Sequence, residues 1–170
     1  MDDVPNPTPT SDRRFINSRS LGLAIYGTMA AGLALAIGAD TGLASTAVIA
    51  AVLAELVGFF LVHVYADMLG EKFSHPGTRL WKRLENACLH DVLLLVGGIP
   101  VVVLFTVETI AGLNTNVGAD IALVLLIVLL GTLGAFAARR AYAPWPAALG
   151  EGVLAAVLGG FVLLLKLLLH

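Results

Sequence analysis

The sequence predicts an all-α, polytopic membrane bundle of five transmembrane helices, with the N-terminus inside and the C-terminus outside. Three observations predict it. Hydrophobic residues make up 58% of the chain and charged residues only 13%, with a mean hydropathy of +0.91. A soluble domain carries roughly 25% charged residues, so this chain cannot cover its apolar surface with its own polar groups, and lipid is the solvent that suits it. The apolar residues fall in five long runs separated by short polar segments. Every Lys and Arg except Lys166 lies before the first run, between the second and third, or after the fourth.

Residues 1–19 read as a disordered cytoplasmic tail, because Met1 to Asn17 is rich in Pro, Asp, Thr and Asn and has no helical periodicity. The five-helix domain then occupies residues 20–170. Its first span, 21–39, contains no charge. Arg13, Arg14 and Arg19 ahead of it imitate a signal peptide, but the run is long for a signal core and more spans follow, so a retained helix is expected. The turn around Asp40 leads to a second span, 43–69, long enough to tilt. The polar stretch from Gly70 to Asn86 holds Lys72, Arg79, Lys82 and Arg83. The third span, 87–111, has Gly97, Gly98 and Pro100 at its centre, a weakened segment whose carbonyls would face a polar cavity. The fourth, 120–138, ends at Arg139 and Arg140. Tyr142, Pro144, Trp145 and Pro146 then form an interfacial turn before the fifth, 147–169. Each run is long enough to cross the ~30 Å hydrocarbon layer. The basic residues place the N-terminus in the cytoplasm, with Trp81 and Trp145 as anchors near the same boundary. No strand pattern and no phosphate-binding loop occurs.

Ionisable side chains inside a span cost roughly 2.5–3.5 kcal/mol at helix centre, so each asks for a reason. Glu55 is the deepest. His63 follows eight residues later and Asp67 one turn beyond it. Together they suggest a proton or cation relay toward the cytoplasm, with Glu55 as the mid-membrane carboxyl and a titratable imidazole below it. The bland alternative makes Glu55 a neutral acid bonded to Tyr26 or Thr28 of span one. His90, Asp91 and Glu151 begin their spans at a similar inner depth and would complete a polar cluster. Glu108 and Asp120 read as solvated helix ends at the outer boundary, and Lys166 as a side chain that snorkels outward. His75 and His170 read as a loop residue and a chain end. Gly22, Gly27 and Gly32 suit close helix packing, as do the glycine pairs of spans four and five.

Several classes are disfavoured. A net charge of −2 gives no footprint for nucleic acid. The single cysteine, Cys88, cannot form an intrachain disulfide. No tight His, Asp or Glu motif argues for a metal, the serines lie in tails, loops or span boundaries, and no cofactor is expected.

Three stretches together resemble a group of small bacterial multi-pass integral membrane proteins of similar length and helix count. They are Ile25-Tyr26-Gly27-Thr28, the run His63-Val64-Tyr65-Ala66-Asp67-Met68-Leu69-Gly70-Glu71, and Ala138-Arg139-Arg140-Ala141 followed by a helix ending Leu165-Lys166-Leu167-Leu168-Leu169-His170. The resemblance implies a fold of this type in a bacterial cytoplasmic membrane and no particular activity. The leading expectation is a small proton or cation transporter, formed as a homo-oligomer because five helices enclose little. The alternatives are a non-transporting accessory or scaffold subunit and, with least support, a metal-dependent membrane enzyme. The lipid bilayer is the expected partner in all three.

Overall fold

The computed structural model describes residues 12–74, 77 and 79–169. The chain forms five helices: α1 (Asp12–Asp40), α2 (Ser45–Ser74), α3 (Leu80–Ile110), α4 (Thr115–Arg140) and α5 (Trp145–Leu169). All five are long and apolar enough to cross a membrane. Residues 1–11 of the expected tail, together with His75 and His170, lie outside the described residues. Asp12–Arg19 is already helix, so α1 begins inside the segment read as tail. Most of the polar Gly70–Asn86 stretch is helical as well, continuing α2 and starting α3. Low hydropathy ends a membrane span without ending a helix, since backbone hydrogen bonding continues into water.

Local chemistry sets the turns. At the end of α3 the Gly112 N–H donates to the Thr109 carbonyl and Leu113 N–H to the Glu108 carbonyl, with Gly112 at φ +79°. This glycine-terminated Schellman arrangement satisfies carbonyls that the last turn would leave unpaired. Asn114 then caps α4 by accepting from Asn116 N–H at 3.0 Å. The α4–α5 turn repeats the pattern, Tyr142 donating to Arg139 O and Ala143 to Ala138 O, but a tyrosine occupies the left-handed position at φ +62°. Connections this short make sequence neighbours antiparallel. Lys72, Arg79, Lys82, Arg83, Arg139 and Arg140 therefore share one end of the bundle, called here the basic end.

Helix α1 is the central element and touches all four others. Its small residues allow that: Ala30, Ala31, Gly32, Ala36 and Ala39 are buried. The tightest approach is to α3. A Cβ on Gly27 would run into the Leu94 carbonyl, and one on Gly97 into the Ala24 carbonyl. Gly32 likewise faces Leu126 of α4, whereas Gly22 faces open space. At the α1–α3 crossing the buried Thr28 hydroxyl lies 2.8 Å from both the Ala24 and the Gly97 carbonyl oxygens, so it ties the two helices together. The isosteric change Thr28→Val should lower stability by about 1 kcal/mol, and Thr28→Ser should retain it. Unfolding in detergent micelles measures both.

The centre of α3 differs from expectation. The helix runs unbroken through Pro100, with Gly97 against α1 and Gly98 against Leu56 and Ala31. These glycines admit neighbouring helices rather than opening a polar cavity. A crevice farther along α3, lined by Leu35, Ile49, Val52, Val101, Val102 and Phe105, is apolar and has no room for water. Buried leucines, valines and alanines, with Phe105, fill the bundle interior.

Candidate functional site

Helix α2 flanks the bundle and packs on α1 and α3 through Val48, Val52 and Leu56. Glu55, immediately before the buried Leu56, lies with Ala54 away from that contact face and is exposed. It lines an open groove of about 590 Å³ with Ala51, Ala54, Gly58, Phe59 and Val62. No hydrogen bond joins it to Tyr26 or Thr28. Thr28 is committed to α3, and the Tyr26 ring packs edge-on against Phe59 at 5.6 Å and on His63 at 5.0 Å.

His63 turns the other way, toward α1. Its Nδ1 lies 3.1 Å from the Phe59 carbonyl oxygen. A carbonyl only accepts, so Nδ1 carries the proton and Nε2 is the atom free to accept in the neutral ring. Asp67, one turn beyond, is half-buried. Glu55 and His63 thus face different surroundings, in keeping with their separation of about 80° around the helix axis. The polar stripe down α2 is interrupted.

Asp91 is 1% exposed on α3, while the adjacent His90 is half-buried. Seven residues toward the basic end from the Leu56–Gly98 contact, α2 offers His63 and α3 offers Asp91, so these two share a height in the bundle. Glu151 is exposed on α5, which packs on α4 and α1. Among the described residues no group of three His, Cys, Asp or Glu is close enough together to hold a metal ion. His63, Asp67, His90, Asp91 and Glu151 do not form such a group.

The opposite end of the bundle holds polar contacts that sequence reasoning missed. Lys166 is only 4% exposed, and its Nζ donates to Asp120 Oδ1 at 2.6 Å and to the Asn116 carbonyl oxygen at 3.4 Å. It does not snorkel, because a carboxylate on the neighbouring helix satisfies it at shorter reach than the bundle surface would. Asp120, half exposed, is that partner rather than only a solvated helix end. Glu108, the other residue expected in water, is 7% exposed and packs over Gly118, with Oε2 lacking a hydrogen-bond partner among the described residues. A hydroxyl pair, Ser45 with Thr115 at 2.7 Å, links α2 to α4 at this end.

Fold and polar contacts together define the class: a small all-α protein of five membrane-length helices with a closed apolar interior. No family model, curated protein or solved structure matches the chain.

Proposed function

We propose that the chain is a multi-pass protein of a bacterial cytoplasmic membrane, N-terminus inside and C-terminus outside, that works as a homo-oligomer joined through the outward face of α2. The observation carrying this is the exposure of Glu55 in mid-span. A carboxyl turned to acyl chains costs several kcal/mol, and covering it with another helix removes most of that cost. The face around it suits the purpose. Ala50, Ala54 and Gly58 recur every fourth residue and are all exposed, and nothing lies within 4 Å of where a Gly58 Cβ would be. Such a small-residue register lets two membrane helices approach closely. A second copy across a two-fold axis would bring Glu55 against its own counterpart and away from acyl chains, and closed symmetric association is the common form of homo-oligomer. The orientation rests on the basic end lying in the cytoplasm.

Proton or small-cation handling at that interface is the second reading, favoured by Glu55, the ionisable group that lines the open groove; His63, turned to α1, stands apart from it. A non-transporting scaffold would use the same interface without flux. In a Cys88→Ser background, Ala54→Cys should form disulfide-linked dimers in native membranes, and adding Gly58→Leu should weaken dimerisation by at least about tenfold, equivalent to about 1.4 kcal/mol. Monomers in every preparation would refute the homo-oligomer. In proteoliposomes, Glu55→Gln abolishes flux with the dimer intact if ions are handled; a wild-type dimer without flux leaves the scaffold.

A further inference from the structure

The α4–α5 turn holds two arginines with no carboxylate partner among the described residues. Arg139 lies over the Trp145 ring at 4.6 Å and donates from Nη1 to the Ala143 carbonyl oxygen at 2.8 Å. Arg140 lies over the Phe136 ring at 5.0 Å. Both arginines are exposed, as are Tyr142 and Trp145 beside them. Neither guanidinium pairs with an acidic side chain among the described residues. On these two helices the acidic groups are Asp120, joined to Lys166 at the far end, and Glu151, beyond the first turn of α5. The basic hairpin between α2 and α3 differs, since Glu71 and Glu85 are interspersed with its cations and Asn86 donates to Glu71.

We infer that this turn is a binding site for the phosphodiester headgroup of an anionic phospholipid. An arginine held on an aromatic face has lost part of its rotational freedom, and its remaining N–H donors form a planar fork matched to phosphate oxygens. Tyrosine and tryptophan belong at headgroup depth, and Phe136 lies a turn deeper, where acyl chains begin. The turn has no carboxylate to receive a choline or ethanolamine cation, so its charge selects lipids with a net negative headgroup. The inference rests on the membrane reading above.

The test uses the full chain purified in neutral detergent, with phosphatidylglycerol, phosphatidylcholine or glycerol phosphate added, and reads bound lipid by native mass spectrometry. Phosphatidylglycerol should be retained and phosphatidylcholine stripped. Arg139→Gln with Arg140→Gln should weaken phosphatidylglycerol binding by about thirtyfold, while Arg79→Gln with Lys82→Gln leaves it near wild type. Equal retention of both lipids, an unaffected Arg139/Arg140 double variant, or competition by glycerol phosphate at matched concentration would overturn the site. Release of the chain from membranes by an alkaline carbonate wash would refute the membrane reading instead, before any lipid is added.

Discussion

Gly27→Ala should destabilise the bundle by about 3 kcal/mol or more, the upper end of what overpacking costs. The added methyl would meet the Leu94 backbone carbonyl, which belongs to a helix and cannot rotate away as a side-chain tip would. Relief requires α1 to back off from α3, and that separation also breaks the Thr28 contact with the Gly97 carbonyl. Because α1 touches every other helix, the loss spreads through the whole fold. Gly22→Ala, one turn and a half away with nothing within 4 Å, supplies the control: it should gain the roughly 0.5–1 kcal/mol that alanine holds over glycine in a helix. Gly97→Ala should match Gly27→Ala, and the double variant should fall short of the sum, since both widen one crossing. Unfolding midpoints in micelles decide this; a Gly27→Ala protein as stable as Gly22→Ala would show that the crossing is looser than described.

That crossing also shows what was legible in the chain and what was not. Helix number and approximate spans follow from hydropathy and length, because in lipid each segment must satisfy its own backbone. Burial of α1 at the centre depends on pairing Gly27 with the Leu94 backbone and Gly97 with the Ala24 backbone, a relation between distant segments that no local pattern encodes.

Rotation of α2 was harder still. A helix with one polar face marks its buried side with apolar residues, but α2 is apolar nearly all round, so the period that would orient it is absent. Val48, Val52 and Leu56 face inward while Ala50, Ala54 and Gly58 face outward, and Glu55 goes with the outward set. Reading cost alone, from a carboxyl in mid-span, identified a residue needing cover without saying which side would supply it. Lys166 was legible in principle. It and Asp120 lie equally far in sequence from Ala143 in the α4–α5 turn, and an antiparallel hairpin brings such positions to one height. Glu108 and Gly118 are placed in the same way about Leu113.

The Lys166–Asp120 pair yields the second large effect. Asp120→Asn should destabilise by about 2–3 kcal/mol, because it strands a buried ammonium beside a neutral amide; a fully buried pair would lose about 3–5 kcal/mol, and the half-exposed Asp120 side lets solvent or headgroups compensate in part. Lys166→Met should cost less, about 1 kcal/mol, since it removes the buried charge along with the bond and leaves a carboxylate that can turn to water. That order, carboxylate loss worse than amine loss, separates a desolvated lysine from a surface ion pair, where both changes cost alike and little. Asp120→Lys should be the most damaging single change, and adding Lys166→Asp should recover only part of it. The reversed pair restores the attraction, but Lys166 lies in the last turn of α5, where a cation suits the helix dipole, and reversal puts a carboxylate there instead. Unfolding free energies of the wild type, Asp120→Asn, Lys166→Met and their double variant give the coupling, because neither single puts a like charge against its partner. Near-zero coupling would mean that the 2.6 Å contact does not hold α5 against α4.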